Sequence, residues 1–151
     1  DASTPEEQLK QLGWLIGDWV DESSDALVLT SYHWSDNHCF IMSDFKVQVT
    51  GRPVMTGTQR IGWDPLTKTL HSWVFDSEGG FGEGTWSREG NQWVTKMNGV
   101  TRDGKIASST NVTTKVAKDR MTWQQRDRVV GDEKSPDMEA VTIARKPPVP
   151  Q

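Results

Sequence analysis

The chain has 151 residues, 34% of them hydrophobic, with eight tryptophans and a formal charge of −4. That length fits one domain with a sizeable core, and an indole-rich composition argues against disorder, because disordered chains are poor in aromatics. The cations are scattered along an acidic chain instead of gathered into a basic stripe, so no nucleic-acid partner is expected, and no stretch approaches the ~20 apolar residues of a membrane span.

The chain opens Asp1-Ala2-Ser3-Thr4-Pro5 without methionine, which reads as the processed start of a longer, secreted or periplasmic precursor. Residues 1–16 form a helical lead-in. Thr4 can cap a helix, Pro5 suits its first position, and Glu6 and Glu7 favour the positive end of the dipole. Leu9, Leu12 and Ile16 fall at helical spacing and can plug one end of a barrel, while Gly13 and Gly17 limit how far the helix runs.

From there the texture is strand, short turn, strand. The segments fall at about 18–23, 26–35, 39–50, 53–63, 69–76, 81–88, 92–100, 106–116, 121–130 and 138–146. Turn chemistry separates them at Ser35-Asp36-Asn37, Gly51-Arg52-Pro53, Asp64-Pro65, Ser77-Glu78-Gly79-Gly80, Glu89-Gly90-Asn91, Asp103-Gly104 and Gly131-Asp132. The pattern predicts an all-β, single-domain fold over 1–151: an up-and-down antiparallel β-barrel of about ten strands with a short N-terminal helix, closed so that no edge is left exposed. The proline-rich stretch 146–151 reads as an extended tail.

Within the strands, polar side chains share register with large aromatics. One face of 53–63 carries Met55, Gly57, Gln59, Ile61 and Trp63. In 69–76, His71, Trp73 and Phe75 share a face, and in 121–130 Met121 and Trp123 line up with Gln125, Asp127 and Val129. A dry core avoids unpaired polar groups, each of which costs roughly 1–3 kcal/mol. Two readings stand: a wet or ligand-holding interior, or a bulge that slips the register and turns Gln125 and Asp127 outward.

Candidate chemistry is sparse. Cys39, in the apolar run Cys39-Phe40-Ile41-Met42, excludes an internal disulfide as the sole cysteine and reads as an inert thiol. His33, His38 and His71 lack metal-site spacing, and no Gly-x-Ser-x-Gly elbow appears. Asp76, Glu78 and Glu83 read as turn charges in a glycine-rich hairpin, and no helix follows Gly79–Gly84 to make a phosphate cradle. The candidate site is therefore a stacking surface of Trp63, Trp73, Trp86 and Trp123, with Gln59, His71 and Gln125 supplying hydrogen bonds. It points to a non-enzymatic module that binds a small, partly apolar or amphipathic molecule without cofactor or metal. The alternatives are a filled accessory barrel that contacts a partner domain, and an isomerase, cyclase or hydrolase using Asp127, Glu83 or His71.

Leu15-Ile16-Gly17-Asp18-Trp19, together with Ile61-Gly62-Trp63-Asp64-Pro65, Ser72-Trp73-Val74-Phe75-Asp76 and Gly80-Phe81-Gly82-Glu83-Gly84-Thr85-Trp86, resembles the lipocalin-like, calycin-type barrel modules of bacterial proteins. The nearest in character follow a SnoaL-like domain. The resemblance runs from about Glu7 to Arg145 and implies that such a domain adjoins this one in a longer precursor. It also implies that the Trp19 indole packs at the closed end against an arginine of the last strand, here Arg145, in a cation–π contact. A haem-binding branch of ten-stranded barrels takes its iron ligand from a histidine late in the chain. The last histidine here is His71.

Overall fold

The computed structural model describes residues 4–21 and 26–146; the extended tail expected over 146–151 lies outside them except for Lys146. The strands are β1 (Gly17–Asp21), β2 (Ala26–Trp34), β3 (Phe40–Val49), β4 (Met55–Asp64), β5 (Thr69–Asp76), β6 (Phe81–Glu89), β7 (Gln92–Val100), β8 (Ile106–Ala117), β9 (Arg120–Val130), β10 (Glu133–Lys134) and β11 (Val141–Arg145). Each pairs antiparallel with its chain neighbour from β1 to β9, β9 pairs with β11, and β11 returns to β1. Ten strands thus close the barrel, and the two-residue β10 hangs on the end of β9 as a short ribbon. The predicted meander is the observed one, and its final segment is shorter than expected because residues 135–140 leave the ladder.

A helix α1 (Pro5–Leu9) and a 3₁₀ segment (Lys10–Leu15) cross one end of the barrel. Thr4 caps α1, its Oγ1 accepting from Glu7 N at 3.2 Å, and Pro5 occupies the first turn. Leu9, Leu12 and Leu15 are fully buried and meet Trp19, Ile41, Ile61 and Leu70 in one apolar cluster. The change from α to 3₁₀ winding moves the third plug residue from Ile16 to Leu15, since i and i+3 eclipse in the tighter helix. Leu9, Leu12 and Leu15 keep that three-residue step.

Arg145 fastens this end. It pairs in register with Trp19 across β11 and β1, and its guanidinium lies 4.2 Å from the indole centroid. Nη1 donates to Ile16 O at 2.6 Å, Nη2 donates to Trp14 O at 2.9 Å, and Nε faces Asp119 Oδ1 at 3.4 Å. The Trp19 indole N–H donates to Leu15 O at 2.7 Å. The expected Trp19–Arg145 contact is therefore present, and the same guanidinium also satisfies carbonyls at the end of the lead-in, which 3₁₀ geometry leaves without partners.

Replacing Arg145 with Met should cost about 2–3 kcal/mol, because two carbonyls lose their donor along with the cation–π contact. Asp119→Asn, which touches only the exposed side of the network, should cost less than about 1 kcal/mol. Urea unfolding monitored by tryptophan fluorescence separates the two.

Candidate ligand cavity

Strand register decides which side chains enter the barrel. Ile61 is buried in the core and pairs with Ile41 and Ser72, so Gln59 and Trp63 share its face on β4, and Leu70, Ser72 and Val74 share it on β5. Leu70 in turn pairs with Trp86, which continues through Thr95 and Asn111 to Gln125. A second row runs Tyr32, Ser43, Gln59, Val74, Gly82, Gly99 and Ala107. One half of that row is polar and the other half carries almost no side chain.

The bare half makes room. A Cβ on Gly84 would stand 2.2 Å from Lys96 O, and one on Gly99 would stand 2.4 Å from Phe81 O, so the close approach of β6 and β7 admits only glycine there. Gly82 on β6, Gly99 on β7, and Ala107 and Ser109 on β8 border a cavity of about 520 Å³ inside the barrel. Leu15, Trp19, Met121 and Ile143 form its closed end, and Trp86, Met97 and Trp123 its apolar wall. Gly80, Phe81, Arg102 and Arg128 lie at the opposite, open end.

One group in the polar half of the row lacks a partner. The Ser43 hydroxyl is buried with no hydrogen-bond partner, and Tyr32 packs against the core, where burial pushes its phenol up to about 12. Across the barrel the Gln125 amide donates to Asn111 Oδ1 at 3.5 Å, and the Trp86 indole N–H donates to Ser72 Oγ. Ser43 pairs with Tyr32 and Gln59, which line the cavity, and is itself buried.

Of the residues singled out by sequence, Gln59, Trp86 and Trp123 line the cavity, and Gln125 bonds to Asn111, which lines it. Trp63 packs against the apolar cluster of the plugged end instead of lining the cavity. His71 and Trp73 fall on the outer face of β5, opposite Ser72 and Val74. There the two rings lie 4.6 Å apart, and His71 Nε2 meets Glu83 Oε2 at 3.5 Å. The Trp73 indole is covered from outside because Gly62 leaves a gap that Trp73 and the Phe40 ring fill. On β9 a bulge forms, but at Asp127 (φ 53°). Gln125 therefore stays in the inner row and Asp127 leaves it.

Sequence reasoning missed Tyr32, Ser43, Met97 and Arg128. The alternation of Val28, Thr30, Tyr32 and Trp34 was the available signal for Tyr32. Nothing local announces Arg128, because its placement follows from the bulge. Cys39 is half-buried, and its thiol is pushed up by burial and by Glu6, whose Oε1 lies 3.4 Å away, consistent with an inert thiol. Among the described residues no three His, Cys, Asp or Glu side chains converge on a metal position, and no helix is long and apolar enough to cross a membrane. A second, more open depression of about 670 Å³ spans β1–β5, bordered by the exposed Asp18, Asp44, Lys46, Thr58, Phe75 and Lys146. Its border is exposed to solvent, whereas the interior cavity is walled by residues of every strand from β4 to β9, which makes the barrel interior the better candidate.

No protein-family model matches the chain, and no curated protein does. Among solved structures it is similar to the crystal structure of Rv2717c from M. tuberculosis, at 14% sequence identity over 92% of this chain and 97% of that one, with a TM-score of 0.62. At that identity the likeness shows the fold alone, a closed antiparallel barrel.

Tyr32 is the sole tyrosine, so its ionisation can be followed directly. The folded phenol titrates near 12 against an ordinary value of 10.0. A raised value means that the associated stability is fully present below about pH 10 and is lost as pH rises toward 12. Phenolate absorbance should show a native midpoint well above that in urea, and Tyr32→Phe should flatten the alkaline loss of stability. Ser43→Ala, which deletes an unpaired buried hydroxyl, should leave stability unchanged or raise it by about 1 kcal/mol.

Proposed function

We propose that the barrel is a non-enzymatic binding module that holds one small, partly apolar molecule in its interior. The observation that carries this reading is the cavity of about 520 Å³, walled by Trp86, Met97 and Trp123 on one side and by Tyr32 and Gln59 on another. That volume and that mixture of apolar walls with a few placed polar groups match the general character of small-ligand sites. Gly82 and Gly99 support the reading, since both border the cavity and neither carries a side chain that could occupy it.

Catalysis is less well supported. Asp127, Glu83 and His71 would have to share a pocket, yet Glu83 and His71 meet on the outer face and Asp127 is exposed at its bulge. A barrel acting only as a packed accessory domain leaves the interior volume without a purpose.

The uncharged fluorophore phenylnaphthylamine is the direct probe, since its emission rises in apolar surroundings. It should bind with one-to-one stoichiometry. Ser109→Phe, which places a ring in the cavity beside Met97, should weaken that binding at least about tenfold, about 1.4 kcal/mol, while thermal unfolding stays cooperative. Absence of binding to the native protein, or undiminished binding to a folded Ser109→Phe variant, would overturn the proposal.

A further inference from the structure

Two arginines stand at the open end of the cavity. Arg102, in the turn between β7 and β8, and Arg128, on β9, both line the open end and flank the first residues of β8. Arg60, Arg88, Arg126 and Arg145 each contact a ring, a carbonyl or an amide oxygen. No ion pair or side-chain hydrogen bond engages Arg102 or Arg128 among the described residues. Two carboxylates also line the rim. Asp76 is engaged in its own turn, with Oδ1 accepting from Glu78 N at 2.8 Å and Gly80 N at 3.0 Å. Glu78 stands exposed at the tip of that turn, on the far side of β6 and β7 from Arg128.

The arrangement at Arg128 is built by backbone strain. Asp127 sits at φ 53°, an uncommon conformation for any residue but glycine, and its N–H donates to Asp137 Oδ1 at 3.0 Å. Beyond it the pairing shifts, so that Val130 meets Ala107 of the inner row. Continued alternation from Trp123 and Gln125 would have brought the carboxylate of Asp127 to the mouth. With the bulge, Arg128 lines the mouth and neither Asp127 nor Val129 does. Bulges that re-aim a side chain in this way gather beside functional sites.

We infer that Arg102 and Arg128 select an amphipathic anion: a molecule whose apolar body enters between Trp86 and Trp123 and whose carboxylate or sulfonate stays at the mouth. Guanidinium forks pair with planar oxyanions through charge-assisted hydrogen bonds, and the half-open rim leaves the anionic head partly hydrated. The inference rests on the binding function proposed above and adds the charge class of the guest.

Two probes of closely matched body separate the claims: phenylnaphthylamine, which is neutral, and anilinonaphthalene sulfonate, which adds one anionic group. The sulfonate should bind the native barrel on the order of tenfold more tightly at low salt, with the preference shrinking as salt rises. In Arg102→Gln/Arg128→Gln the ratio of the two affinities should fall to about one, whatever change the neutral probe's own affinity shows. Asp127→Gly, which keeps the left-handed bulge, should retain the preference. Equal affinity for the two probes in the native protein, or a preference that survives loss of both arginines, would overturn the charge selection and leave the cavity reading intact. Failure of both probes would overturn the cavity reading and this one with it.

Discussion

The guanidinium of Arg145 joins three parts of the chain that are far apart in sequence. It lies on the indole of the first strand, it satisfies the carbonyls of Trp14 and Ile16 at the end of the lead-in, and it belongs to the strand that closes the ring. Sheet closure leaves no exposed edge, but a ring of strands is hollow and needs a floor. Leu9, Leu12 and Leu15 supply that floor only while the lead-in is held across the barrel end. The cation–π pair, the carbonyl bonds and the leucine plug therefore act together, and the cavity above them depends on all three.

That cavity results from an uneven division of labour around the barrel. Large residues crowd the plugged end, where Trp19, Trp86 and Trp93 join the leucines. Toward the mouth, Gly82 on β6 and Gly99 on β7 carry no side chain, and Ala107 and Ser109 extend that bare wall onto β8. The opposite wall keeps hydroxyls and amides with few mutual bonds. A chain selected for packing alone would remove the unpaired hydroxyl of Ser43, whereas the bare wall is set by the closeness of β6 and β7, which bars a side chain at Gly84 and Gly99.

Most of the fold was legible because its signals are local. Turn residues marked nearly every strand end, and Gly-x-Trp at the first strand marked the closure contact. Facing was harder to read. On β5 the bulky His71, Trp73 and Phe75 suggested an inner stripe, yet the smaller Leu70, Ser72 and Val74 face inward. That choice is made by pairing with β4, where Ile61 must be buried, and by Gly62, which lets the Trp73 indole find cover on the outside. On β9 the alternation held as far as Gln125 and failed at Asp127, where a backbone conformation rather than a residue type sets the register. Of the proposed site, Gln59, Trp86 and Trp123 were recoverable from the aromatic–amide pattern. Arg128 was not, because its role depends on a strand irregularity that composition does not reveal.

Closure between the first and last strands also bears on how the barrel assembles. The bond from Arg145 to Ile16 spans 129 positions of sequence, whereas every hairpin from β1 to β9 forms between chain neighbours. Local hairpins can zip early, but the final seam must wait for contacts between residues near opposite ends of the chain, and topologies of that kind fold slowly. Until the seam closes, β1 offers an open edge to any other unpaired strand. The vulnerable species is thus a nearly complete, unsealed sheet, and changes at the Trp19–Arg145 seam are expected to affect misassembly during folding more than the shape of molecules that have already closed.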